Sequence, residues 1–247
     1  MSGLNLIMPM AGRGSRFAKD GIAQPKPLID LAGKPFFWWA VESVRRAATI
    51  DEMVFVVLQE HIAEWQLNQR ILDFYPGAVI IAIPEVTSGA AETAYIGALA
   101  LKNNRPIVIN DCDHAFVAGN LDAAASAMNS SHPGLLMTFE SSSPNYSYVE
   151  LGNHSEVLST VEKKVVSPYA IAGCYLFESR DLFSSLYAVY ARDCPYPELF
   201  ISGIYNKMLA EGLKVNKHVL AKHFAFGTPD EYAQVLPSLL SELAGWR

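Results

Sequence analysis

An alternation in the first third of the chain restricts the fold more than any other feature. Short apolar runs at Leu4 to Met8, Met53 to Leu58 and Val79 to Ile83 are separated by longer amphipathic stretches at Pro35 to Ala48 and Ile62 to Phe74. A strand that is apolar throughout must be covered on both faces, and a helical crossover leaves successive strands parallel. The pattern therefore predicts a βαβαβ unit, a parallel sheet with covering helices. It continues through a helix over about Gly89 to Lys102 and a buried strand at Pro106 to Asn110. After Asp113 the character changes. Strands are expected at Leu135 to Phe139, Tyr148 to Leu151, Val157 to Val161 and Ala170 to Phe177 as a partly antiparallel extension, followed by helices over Pro197 to Glu211 and Pro229 to Leu243 around a strand at Lys214 to Val219. No repeat, low-complexity tract or linker breaks this series, so one domain over residues 1–247 is expected.

With 247 residues, 51% of them hydrophobic, the chain can bury a substantial core. The formal net charge of -6 argues against bulk attraction to nucleic acid, which leans on Lys and Arg neutralising phosphates. Cys112, Cys174 and Cys194 are odd in number and widely spaced, which suggests neither a disulfide framework nor a zinc site and fits a reducing cytosol. The run Leu4 to Met10 lacks the basic flank and cleavage site of a signal peptide and is too short to span a bilayer, so a soluble, cytoplasmic protein without a membrane partner is expected.

The segment Met8-Pro-Met-Ala-Gly-Arg-Gly-Ser-Arg-Phe17 follows the first strand. Its glycines let backbone N–H groups approach an anion closely, so Ala11, Gly12, Gly14 and Ser15 are candidates for cradling the phosphates of a nucleotide. In Gln24-Pro-Lys-Pro-Leu28 two prolines flank Lys26 and limit the entropy lost when that ammonium is ordered. A dinucleotide-binding fingerprint would place a third glycine where Phe17 stands, and no Gly-Lys-Ser/Thr completes a P-loop. A tight strand-to-helix turn with Arg13, Arg16 and Lys19 merely solvated is the plainer alternative. Asp111 and Asp113 lie just past a buried strand, at the carboxyl edge where open α/β sheets bind ligands, and suit Mg²⁺, which takes few protein ligands. Asp113 capping a following helix is the competing role. Glu162, Lys163 and Lys164 at a strand end are ordinary exposed charges on their own. The six histidines show no metal spacing; His61, His114 and His132 are read as structural, with His114 near enough to reach a phosphate.

Gly12-Arg-Gly-Ser-Arg16, Pro25-Lys-Pro-Leu28 and Gly33-Lys-Pro35, in that order, resemble the sugar-phosphate nucleotidyltransferase family, and within it the small bacterial members linked to surface-polysaccharide synthesis. Supporting segments are Val86-Thr-Ser-Gly-Ala-Ala-Glu-Thr93, Asn110-Asp-Cys-Asp-His114, Glu162-Lys163 before Gly173-Cys-Tyr-Leu-Phe177, and Gly227-Thr-Pro-Asp230. The resemblance implies a Rossmann-like, GT-A-type three-layer α/β sandwich with a mostly parallel central sheet and a small antiparallel extension. It implies a nucleoside pocket at Gly89 and Ala90, Asp113 with its partner Asp111 as Mg²⁺ ligands, and Arg16 and Lys26 on the triphosphate. Lys163 is implied on the acceptor phosphate, with Glu162, Gly173 and Glu198 around the acceptor. Many family members carry a metal-binding aspartate where this chain has Ala225, which leaves the second metal ligand unassigned, and Glu198 is a substitute or a helix N-terminal glutamate.

The implied reaction is in-line attack of an acceptor phosphate oxygen on the α-phosphorus of a nucleoside triphosphate, CTP preferred over UTP or dTTP, with release of pyrophosphate. The acceptor is a sugar phosphate or a similar phosphomonoester. Two other readings compete. One is a metal-dependent glycosyltransferase that uses Asp111-Cys-Asp113 as an Asp-x-Asp motif. The other is a non-catalytic nucleotide binder. Trp38 and Trp39 are either helix core or a homodimer surface.

Overall fold

The computed structural model describes residues 3–246. Strand β1 (Leu4–Met10) lies at the centre of a sheet, parallel to β2 (Ile50–Leu58) on one side and to β4 (Ile107–Asn110) on the other, with β3 (Val79–Ile83) parallel to β2 beyond it. This parallel half carries helix α2 (Phe36–Arg45) and helix α5 (Ala90–Leu99) on its flanks, and both of its faces are packed by separate hydrophobic clusters. The fully apolar strand cores noted in the sequence require that double cover.

Past β4 the sheet turns antiparallel. Strand β9 (Tyr169–Phe177) runs against β4, pairs with β6 (Gly134–Glu140), and touches β7 (Ser147–Leu151), which in turn pairs with β8 (Val157–Glu162). Strand β10 (Val215–Val219) closes the far edge, parallel to β6. The architecture is the α/β sandwich expected, with a mostly parallel centre and an antiparallel extension.

Several local expectations are corrected. The stretch Ile62 to Phe74 is two helices, α3 (Gln59–Trp65) and α4 (Leu67–Phe74), because Gln66 takes a left-handed backbone (φ 53°) between them. Asp113 caps no helix: the chain continues directly into β5 (His114–Val117), which pairs with β11 (Lys222–Ala225) as a separate two-stranded ribbon. Helix α6 (Leu121–Ser126), capped by Asn120, follows that strand. A helix not expected, α7 (Arg180–Tyr190), is capped by the Ser179 hydroxyl and buries Phe183, Leu186, Tyr187 and Tyr190. Helix α8 (Ile201–Ala210) begins four residues later than expected, because the Leu199 backbone is already bonded to Ser88 and Ala91. Trp38 and Trp39 are both buried in the core under α2, and Trp39 Nε1 donates to the Leu31 carbonyl at 2.8 Å, so neither supplies an exposed aromatic face. The last helix, α9 (Pro229–Leu243), opens on a complete capping box between Thr228 and Glu231. No helix among the described residues is long and apolar enough to cross a membrane.

Candidate active site

The carboxyl ends of β1 and β4 open into a cleft of about 520 Å³, walled on its far side by the antiparallel strands. Gly12, Gly14, Ser15, Arg16 and Lys26 line one end of it. Asp111 and Asp113 lie in the middle, and Glu162, Lys163, Gly173, Glu198 and Phe200 line the other end. Arg16, Lys26 and Asp113, drawn from three separate segments, thus face one cavity.

The glycine-rich loop ends in a short helix, α1 (Ser15–Lys19), reached through Gly14 in left-handed backbone (φ 63°). A β-carbon at Gly14 would sit 3.0 Å from Cβ of Lys26, so the absence of a side chain is what lets the Pro25–Pro27 segment lie against the loop. Arg13 turns outward, 3.6 Å from Glu60, and with Lys19 it lines a different cavity beside His61 and Trp65. Ala11 is buried in the core and does not line the cleft.

Lys26 Nζ donates to Asp113 Oδ2. Burial works against both charges, but their attraction outweighs it. The lysine is held above its ordinary value, and the Asp113 carboxyl is held below the usual carboxylate range. Asp111 fares differently. Burial, and then the negative charge of Asp113, push its carboxyl up to about 8. Two carboxylates share one ammonium, so the centre of the cleft lacks positive charge. Gly173 explains how Asp111 fits at all: its backbone is left-handed (φ 72°), and a β-carbon there would lie 2.8 Å from Asp111 Oδ2.

His114, read in the sequence as near enough to reach a phosphate, completes the wall together with His223 and Tyr146, which were not singled out. His114 Nε2 meets Asn110 Oδ1 at 3.1 Å, and its Nδ1 meets His223 Nε2 at 3.2 Å, while His223 stacks on Phe139 with ring centroids 3.9 Å apart. Burial lowers His114 to about 4 and takes His223 well below its ordinary value, so the pair is neutral near pH 7. His114 therefore lines the cleft as an uncharged hydrogen-bonding group. Tyr146 donates its hydroxyl to Glu231, tying the loop before β7 to the first turn of α9. The capping-box spacing from Thr228 to Glu231 was visible in the sequence; the Tyr146 contact, 85 residues distant, was not.

At the far end, Glu162 accepts hydrogen bonds from the Ser147 and Ser202 hydroxyls. Lys163 follows in left-handed backbone (φ 53°), and its ammonium lies over the Phe200 ring. Ala90 lines the cleft, but Gly89 does not: a β-carbon on Gly89 would collide with the Leu199 backbone at 2.5 Å. Leu199 donates to the Ser88 carbonyl and accepts from the Ala91 N–H, both at 2.9 Å. Glu198 is therefore an exposed residue of a bend, its carbonyl accepting from the Phe200 N–H at 3.0 Å, ahead of α8 rather than in its first turn. Ala225 and Gly227 line the cleft beside Asp113 without adding an acid.

Among the described residues no three His, Cys, Asp or Glu side chains gather as a metal cluster. Asp111 and Asp113 do suit a cation that takes one or two carboxylates and completes its shell with water and phosphate oxygens, as Mg²⁺ does, and such a charge would offset the deficit at Asp111.

A family model described as nucleotidyl transferase matches residues 5–242. Among solved structures, the nucleoside-diphosphate-sugar pyrophosphorylase from Vibrio cholerae RC9 is similar with a TM-score of 0.81 at 23% identity, over 94% of this chain and 99% of that one. The inositol-1-phosphate CTP transferase from T. maritima gives 0.75 at 12% identity, over 96% of each chain. The UTP-bound UGPase from Acinetobacter baumannii gives 0.72 at 17% identity, over 97% and 94%. At these identities the likeness is one of fold. The bifunctional enzyme IspD/IspF of Nitratidesulfovibrio vulgaris is 26% identical over 136 residues, which take in 53% of this chain and 34% of that protein's length.

Proposed function

The chain belongs to the nucleotidyl transferase family, and from that premise we propose that it transfers a nucleoside monophosphate from a triphosphate, CTP by preference, to a sugar phosphate or related phosphomonoester, releasing pyrophosphate. The observation that carries this reading is the single cleft shared by Arg16, Lys26, Asp111, Asp113, Glu162 and Lys163. A triphosphate and a phosphomonoester are both polyanions. The first task of an enzyme joining them is to hold them in line despite their repulsion.

The loop from Gly12 to Ser15 receives the triphosphate on backbone N–H groups. Arg16 and Lys26 take the β- and γ-phosphates, where charge accumulates as pyrophosphate departs. Lys26 reaches that position from its ion pair with Asp113, so an incoming phosphate competes with the carboxylate for the ammonium. Asp113 and Asp111 would hold Mg²⁺, which when bound supplies positive charge between the donor and acceptor phosphates. Lys163 fixes the acceptor phosphate, and Glu162, with Glu198 at the rim, faces the rest of the acceptor. The attacking phosphate is already ionised near neutral pH, so no side chain has to remove a proton from it. The neutral His114 and His223 fit that picture as positioning groups.

Incubation of the protein and Mg²⁺ with each of the four common triphosphates and a panel of phosphomonoesters tests the reading. Pyrophosphate release that requires both substrates is the expected result. Release of free nucleoside diphosphate from a nucleotide sugar, with no pyrophosphate from any triphosphate, would overturn it.

A further inference from the structure

The acceptor end of the cleft is rich in carboxylate and aromatic surface and poor in positive charge. Ser147 and Ser202 both donate to Oε1 of Glu162, which fixes the carboxylate and leaves Oε2 without a hydrogen-bond donor among the described residues. Glu162 also makes no ion pair among them. The half-buried ring of Phe200, two residues before the Ser202 that bonds Glu162, lines the same end of the cleft, braced edge-on by Tyr196 with ring centroids 5.8 Å apart. The face of that ring already carries a cation: Lys163 Nζ lies 5.1 Å from its centroid.

Lys163 is exposed, and its long side chain can swing away at little cost. A phosphate dianion is a stronger partner for an ammonium than an aromatic face is. When the acceptor phosphate draws Lys163 away, an aromatic face is left vacant beside a carboxylate oxygen that lacks a donor. Hydroxyl groups would satisfy Glu162 but gain nothing from the quadrupole of Phe200. An ammonium group satisfies both.

We propose that the acceptor is a phosphomonoester bearing an ammonium group, primary or quaternary, which takes over the seat on Phe200 and Glu162 as Lys163 moves to its phosphate. The inference rests on the assignment of Glu162 and Lys163 to the acceptor under the proposed function, and it narrows that function to amine-bearing acceptors, aminosugar phosphates included.

The test uses two pairs in which one member carries a positive charge: glucosamine 1-phosphate against glucose 1-phosphate, where an ammonium replaces a hydroxyl, and choline phosphate against 3,3-dimethylbutyl phosphate, where nitrogen replaces carbon. Each is titrated calorimetrically into the full chain loaded with Mg²⁺ and an α,β-methylene triphosphate analogue. In at least one pair the ammonium member is expected to bind about tenfold or more tighter, and Phe200→Leu and Glu162→Gln are each expected to shrink that ratio. Equal or tighter binding of the uncharged members overturns the proposal, as does a ratio that both variants leave unchanged, or failure of both ammonium esters to bind. Pyrophosphate release with glucose 1-phosphate alone would sink the amine assignment while leaving the nucleotidyl transfer intact. A protein that does not bind the triphosphate analogue at all would sink the parent reading.

Discussion

The two ends of the cleft are built on opposite plans. The end proposed to hold the triphosphate comes from one stretch of chain, from Pro9 to Pro27, folded back on itself through Gly14, and its charged side chains, Arg16 and Lys26, are cationic. The end proposed for the acceptor is assembled from Asn145 to Ser147, Glu162 and Lys163, residues of Ile171 to Tyr175, Glu198 and Phe200, and residues of His223 to Glu231, and its charges are mostly carboxylates. A contiguous loop can be kept intact as a unit, because every donor requires the same phosphates to be held. An assembled wall can change at one contributor while the others stay, which suits the part of the site that must match a particular partner.

The sharpest way to break this contrast is at the triphosphate end. Lys26→Ala is expected to lower kcat/KM by ~10² or more, the scale of one transition-state electrostatic contact. Steady-state assays of pyrophosphate release measure it, and near-normal turnover would remove Lys26 from the reaction. Lys163→Ala is expected to act on the other end only. KM for the phosphomonoester should rise on the order of tenfold while affinity for a triphosphate analogue stays within about twofold. A matched loss of both affinities would show that the two ends are not separable.

The centre of the cleft can be probed through stability rather than rate. Burial and Asp113 push Asp111 up to about 8, whereas an unfolded aspartate titrates near about 4. Between those values the folded chain holds a proton that the unfolded chain has released, so stability falls as pH rises through that window and levels off above it. Without divalent metal, the melting temperature of the parent protein is expected to drop between about pH 5 and about pH 8 by several degrees more than that of Asp111→Asn. Parallel slopes would mean that the carboxyl is ionised throughout. The smallest effect is expected at Tyr146→Phe. It removes the tie to Glu231 but keeps the ring against Phe139, and should lower kcat/KM less than about tenfold with little loss of stability.

The same contrast decides what could be read in the sequence. The parallel half was legible because its strands are apolar along their whole length, and the glycine-rich loop because its residues are neighbours in the chain. Gly89, expected at the nucleoside pocket, packs instead against the Leu199 backbone, and that spacing role depends on a residue 110 positions away, which no local pattern announces. The late start of α8 has the same origin, since a segment whose backbone is engaged elsewhere cannot close a helical turn. Helix α7 does carry a local signal, a serine cap followed by apolar residues at helical spacing. The Tyr146 to Glu231 tie and the His114 to His223 pair join residues 85 and 109 positions apart. Each is an ordinary polar residue in its own neighbourhood, and only the sheet order brings the partners together.

The two backbone bonds that seat Leu199 against Ser88 and Ala91 involve no side chain. Anchorage of that kind does not depend on side chains, so the positions on either side, Glu198 and Phe200, stay beside the cleft through replacements that keep the backbone N–H groups. A lineage carrying this scaffold could vary the exposed Glu198 position while the backbone around it stays in place.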